Sequence, residues 1–201
     1  TELNDQKGIA GQLCYIGEDL RQPGNVADAR EYFERALAAC RELGDGAAVA
    51  MAANNFAEFL AEQREYSQAR SLLTGALSIF RQLGNQGSGA WSLNHLADIA
   101  LHEEDFAEAH RLYREAYDLF PSLGDRWGIA RSYADLGRLS SEQNNQDGAR
   151  SLLEQALKAF LELGHTRGVA MVLERLACVA VCERDFDRAI TLVPAAEGLR
   201  Q

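Results

Sequence analysis

The chain has 201 residues, 47% hydrophobic and 25% charged, and its 30 acidic against 20 basic side chains leave a net charge of −10. That is ordinary globular material for one domain, and the acid surplus excludes nonspecific nucleic-acid binding, which needs Lys and Arg in excess. The longest apolar stretch, residues 176–182, is far too short to cross a bilayer. No charged-then-apolar leader stands at the N-terminus, and the four cysteines have no disulfide-framework spacing. The expectation is a soluble cytoplasmic protein, and the start at Thr1, already in phase with a 40-residue repeat, reads as a piece cut from a longer chain.

That repeat runs without insertion or deletion, as Leu43-Gly44, Leu83-Gly84, Leu123-Gly124 and Leu163-Gly164 show first. Three alanine columns keep the phase in all five copies: Ala10, Ala50, Ala90, Ala130 and Ala170; Ala29, Ala69, Ala109, Ala149 and Ala189; Ala36, Ala76, Ala116, Ala156 and Ala196. Self-similarity of this length specifies stacked units, each burying its apolar face against its neighbours.

Two helices are predicted per copy. In the third, Leu93, Leu96, Ala97 and Ala100 mark the first, and Phe106, Ala109, Leu112, Tyr113, Ala116 and Phe120 mark a longer second, both at three- and four-residue intervals. Gly44, Gly84, Gly124 and Gly164 suit left-handed helix ends. Asp45, Asn85 and Asp125 then cap the first helix of the next copy, with His165 the weak member. Asn25, Glu65, Asp105, Asn145 and Asp185 start the second helices, all but Glu65 as good caps. Pro194 is expected to kink or shorten the last helix. The small residues let helix axes approach closely while Leu, Phe and Tyr fill the space between.

The fold expected is all-α: a right-handed α-solenoid of about five helix-turn-helix repeats forming a single array over 1–201, with repeats at 5–44, 45–84, 85–124, 125–164 and 165–201. The residue pattern Leu93, Leu96-Ala97, Ala100, Ala109, Tyr113, Ala116, and again Leu13, Ile16-Gly17, Leu20, Ala29, Phe33, Ala36, resembles the tetratricopeptide repeat family. Pro121 falls where that family often closes a repeat. The period is 40 rather than the family's usual length of about 34, which the resemblance attributes to a longer second helix and turn. This long-period form is similar to the Pins/LGN and kinesin light chain arrays and to the helical sensor domains of bacterial signal-transduction ATPase regulators. The stretch from Arg184 to Arg200 resembles the last repeat of such regulators.

The resemblance implies a concave groove lined by the first helix of each hairpin. Its exposed positions would be Cys14 and Glu18; Met51, Asn54, Asn55, Glu58 and Glu62; Trp91, Asn94, His95, Asp98 and His102; Arg131, Asp135, Arg138 and Glu142; and Met171, Glu174, Arg175 and Cys178. Asn54 and Asn94 are one repeat apart, and an amide can donate to and accept from a peptide backbone at once. Both also suit a solvated face. Glu18, Glu58, Glu62 and Asp98 make the front acidic, whereas Arg131, Arg138 and Arg175 make the back basic, which would orient a polar ligand. Trp91 stands where the chaperone-binding members need a base, so their carboxylate clamp is not reproduced.

Catalysis is not expected. His95, Asp98 and His102 share one helix face, as do Cys178 and Cys182, but neither set completes a metal site. No nucleophile turn or phosphate loop accompanies Ser92 or Ser132. The expectation is therefore a noncatalytic scaffold without metal or cofactor, binding a protein or peptide segment and neither nucleic acid nor membrane, as the sensor or interaction region of a larger bacterial regulator. The alternative is a homo-oligomer formed through bare apolar ends, Ala10 and Leu13 at one and Phe186, Ile190 and Val193 at the other.

Overall fold

The computed structural model describes residues 2–21 and 25–199, with side chains from residue 11 onward, so Ala10 as a packing residue and Arg200 lie outside the described residues. Among the described residues ten helices follow one another: α1 Glu2–Asp19, α2 Val26–Glu42, α3 Gly46–Glu62, α4 Tyr66–Gln82, α5 Gln86–His102, α6 Phe106–Leu123, α7 Arg126–Glu142, α8 Gln146–Glu162, α9 Thr166–Cys182 and α10 Phe186–Gly198. The architecture is an all-α solenoid of helical hairpins. No strand occurs among the described residues.

The chain packs as two compact units, Thr1–Ile99 and Ala100–Gln201. In the first, α1 packs on α2, α2 on α3 and α3 on α4. In the second the same succession runs from α6 through α10, with α7 also touching α9. The described alanines of all three columns are buried, so the close helix approach that they predict is realised. Aromatic rings fill the remaining space: Phe33, Phe59 and Phe80 in the first unit, Tyr113, Phe120 and Phe160 in the second. Phe33 stacks on Phe56 at 5.9 Å between ring centroids and lies 5.2 Å from Phe59.

Each helix end is closed by a short backbone motif. Gly84 N–H bonds to the Arg81 carbonyl and Asn85 N–H to that of Phe80, the paired bonds of a Schellman cap, with the glycine left-handed at φ 67°. The turns inside the second to fifth hairpins use the same device without glycine. Arg64, Glu104, Asn144 and Arg184 sit at φ of 61–63°, and the Arg64 and Glu65 amides bond back to Ala61 and Leu60.

Several expectations are corrected. The second helix is longer in the third copy, where α6 has 18 residues against 17 in α5, but not in the second or fourth, where α3 and α4, like α7 and α8, have 17 residues each. His165 is a working cap whose Nδ1 accepts from the Gly168 amide at 2.9 Å, whereas Asn25 makes no side-chain cap bond. α10 runs past Pro194 to Gly198, because a proline without its amide hydrogen removes one rung and the flanking rungs persist.

Candidate functional site

In the first unit the residues selected from the sequence lie on α1, α3 and α5. Asn54 is half-buried and its side-chain oxygen accepts from Ser92 Oγ at 2.8 Å, while the same hydroxyl donates to the Ser88 carbonyl at 3.1 Å. Met51 is exposed, with Ser88 Oγ 3.7 Å from its sulfur. Trp91 and Asp98 are half-buried. Asn94 differs from its expected exposure: it is 2% exposed, and neither its amide nitrogen nor its oxygen has a hydrogen-bond partner.

Charge in this unit gathers around Arg21, which bonds Glu18, Glu62 and, at 3.2 Å, Glu58. Burial works against the guanidinium charge, but the hydrogen bonds to Glu62 and Glu18 more than offset it and raise the arginine above its ordinary value. Three carboxylates against one guanidinium leave the local balance negative. Beside them opens a half-open cavity of about 300 Å³, lined by Gly11, Cys14, Tyr15, Glu18, Cys40 and Met51 among others. Burial, then the neighbouring Cys40 and Glu18, push the Cys14 thiol up to about 11, against a lowering hydrogen bond from Asn55. Burial and Asp45 raise Cys40 as well. All four cysteines are free thiols.

In the second unit the arrangement is inverted. Asp135, expected at an exposed position, is fully buried, because two arginines close over it: Arg131 Nε donates at 2.6 Å and Arg175 Nη1 at 3.2 Å. Arg175 also donates to the Ala134 carbonyl at 2.7 Å, and Arg138 donates to the buried Tyr113 hydroxyl at 2.9 Å. Burial lowers the Arg175 pKa; Asp135 acts to raise it, and the charges of Arg138 and Arg131 lower it further. Three guanidinium groups therefore gather around this carboxylate. His102 is exposed, Met171 and Glu174 are half-buried, and Ser132 is buried with its hydroxyl unpartnered. No group of three or more metal-ligating side chains forms among the described residues, and no helix among them is long and apolar enough to cross a membrane.

The hairpin pair, its two alternating cap motifs and the alanine columns decide the family. A tetratricopeptide repeat profile matches residues 11–82, 48–122 and 90–162. The chain belongs to the tetratricopeptide repeat family. No curated protein matches the sequence. Among solved structures, this tetratricopeptide repeat chain is similar to BtubC from P. vanneervenii, with a TM-score of 0.72 and 22% identity over 100% of this chain and 91% of that one. It is also similar to a signal-transduction ATPase with a tetratricopeptide repeat sensor from Pyrococcus horikoshii, at TM-score 0.72 and 16% identity, covering 93% of this chain and 29% of that one. A Rap protein complexed with competence and sporulation factor matches at TM-score 0.85 and 15% identity, over 93% and 52% of the two chains. At these identities the likeness shows the fold alone.

The glutamate and arginine sets were legible as charge in the sequence. Two features were not. The burial of Asp135 depends on arginines reaching from two helices, and the sulfur-lined cavity depends on what is missing from a repeat column.

Proposed function

We propose that this chain is a noncatalytic scaffold that binds a peptide segment along the first helices of its hairpins, as the interaction or sensor region of a larger bacterial regulator. Asn94 carries the reading. A buried amide with neither atom paired forfeits about 1–3 kcal/mol, and a peptide backbone offers the donor and the acceptor that it lacks. Reaching a ligand requires Asn94 to turn out of its buried position, and no hydrogen bond holds it there. Asn54, one repeat earlier, is half-buried and carries an amide that can contact the next part of the same ligand. Within the first unit Glu18, Glu58 and Asp98 would meet basic parts of a ligand, and within the second Arg131, Arg138 and Arg175 acidic parts, which speeds encounter. Trp91 and Met51 would supply apolar contact, and His102 would stand among the polar contacts.

Selection of peptides from a random display library on the immobilised full chain, followed by calorimetry, tests the proposal. Two lost amide contacts of about 0.5–1.5 kcal/mol each predict roughly 5- to 150-fold weaker binding by Asn54→Ala with Asn94→Ala. Unchanged affinity would remove the groove assignment.

A second reading rests on α10. Phe186, Ile190 and Val193 repeat at helical spacing on one face and are 57%, 69% and 43% exposed. Such a stripe on the last hairpin is where a second copy would stack. A sedimentation mass that stays monomeric from micromolar to millimolar concentration disposes of it.

A further inference from the structure

The repeat column at positions 40, 80, 120 and 160 holds phenylalanine in the second, third and fourth copies and Cys40 in the first. Phe80, Phe120 and Phe160 are fully buried, each filling the space between its own hairpin and the start of the next. The fit is close: a Cβ placed on Gly128 would come within 2.3 Å of the Phe120 ring, and one on Gly168 within 2.5 Å of Phe160. In the first copy a thiol replaces the ring, and the cavity of about 300 Å³ opens beside it. Its walls are Cys14, Cys40, Leu43, Ala48, Met51 and Ala52, with Asn55 and Glu18 supplying polar edges.

We propose that this cavity is a specificity pocket that receives an aromatic side chain from a bound basic peptide, the ligand's ring occupying space of the kind that the column fills from within elsewhere. The proposal rests on the peptide-binding reading and adds to it the class of residue that the first unit selects. Volume permits it, since an engineered apolar cavity of about 150 Å³ holds benzene. The lining favours it: two thiols and a thioether are polarisable, and sulfur at a ring edge is an attractive contact. Burial keeps both thiols protonated at neutral pH, so the walls add no charge that would repel a ring.

The rim fixes what flanks the ring. Glu18 lines the cavity itself, and Glu58 and Glu62 join it around the single Arg21. The surplus of two carboxylates calls for Lys or Arg on either side of the aromatic residue. Tyr15, 75% exposed although it lines the cavity, stands at the mouth where it can close over the entering segment.

The chain has two methionines, Met51 on the pocket wall and Met171 in the second unit, which makes [13C-methyl]methionine the reporter. The labelled full chain is titrated with blocked Lys-Lys-Phe-Lys-Lys, with Lys-Lys-Ala-Lys-Lys and with phenol. The phenylalanine peptide is expected to move the Met51 methyl signal, by ring current, at roughly ten- to a hundred-fold lower concentration than the alanine peptide needs for any shift, the factor that burial of one phenyl side chain supplies, and at lower concentration than phenol, which lacks the flanking charges. Met171 stays still. Cys40→Phe, which restores the repeat column, abolishes the Met51 shift. Should that variant not fold, Cys40→Leu fills the same space with less bulk, and the three ligands on the wild-type chain decide the matter without it.

Equal shifts from the phenylalanine and alanine peptides overturn the pocket and leave the groove reading standing. Saturation by phenol at the peptide's concentration makes the cavity a small-molecule site and overturns it too. No Met51 shift at millimolar phenylalanine peptide, or an undiminished shift in a folded Cys40→Phe chain, does the same.

Discussion

Asp135 is where the second unit is most sensitive to a single change. Its carboxylate has no accessible surface, and it joins Arg131, whose side chain is 26% exposed, to Arg175, at 18%. Asp135→Asn keeps the shape and one acceptor oxygen but removes the negative charge held between these two guanidinium groups, with that of Arg138 near enough to act on Arg175. Breaking a buried pair costs about 3–5 kcal/mol, because the partner charge stays desolvated. Arg175 retains its bond to the Ala134 carbonyl, which puts the expected loss near the lower bound, about 3 kcal/mol. At a urea slope of about 1–3 kcal/mol per molar, the unfolding midpoint falls by roughly 1–3 M.

The assay is urea denaturation followed by Trp127 fluorescence in a Trp91→Phe background, so that the signal comes from the unit that contains Asp135. Two controls sharpen it. Asp135→Leu with Arg175→Leu should recover most of the loss, since replacing a buried ion pair by apolar side chains is often neutral. Asp135→Asn with Arg175→Leu, which removes one of the guanidinium groups left without its anion, should lose less than Asp135→Asn alone. A loss below about 1 kcal/mol, or one that removing Arg175 does not relieve, would refute the view that this carboxylate holds the cluster together.

Ala109→Leu should destabilise by about 1–3 kcal/mol through overpacking of a fully buried position, and an unchanged melt contradicts the column packing. Gly124→Ala should cost about 1–2 kcal/mol from backbone strain alone, because a Cβ there meets nothing within 4 Å, whereas Glu104→Gly, at φ 61°, should be neutral or stabilising; denaturation curves that rank them the other way would be decisive against this turn geometry. Cys178 and Cys182 are exposed and should alkylate with iodoacetamide well before Cys14 and Cys40, as peptide mapping of a time course would show. Because the folded Cys14 thiol lies above its ordinary value of 9.0, the stability it contributes is complete below that pH and is lost as pH rises through about 11. Wild type should therefore lose more melting temperature than Cys14→Ala between those two values.

The period was legible because stacking repeats one packing problem and returns one answer. Ala29, Ala69, Ala109 and Ala149 are all fully buried at equivalent points, so the residue recurs, and its recurrence alone specified hairpins. Gly44, Gly84, Gly124 and Gly164 were readable for the same reason, since only glycine takes a left-handed φ without penalty. The other turn was not, because Arg64, Glu104, Asn144 and Arg184 share a backbone conformation and no side-chain chemistry. Backbone bonds dictate it there, and of the residue types present only asparagine carries a compositional sign of it.

What a period cannot show is how unlike residues combine. Asn54 and Asn94 occupy one column, yet one meets a serine hydroxyl and the other is sealed without a partner. Tyr15, Asn55, His95, Asp135 and Arg175 occupy another column, and its last two members find each other across helices at 3.2 Å. The repeat sets where a side chain starts; the pairing is decided by length and charge at that one level of the stack. Function in such a chain therefore follows the exceptions within the columns, and the largest of these is Cys40. There a thiol stands in a column of phenylalanines, and a cavity of about 300 Å³ opens beside it.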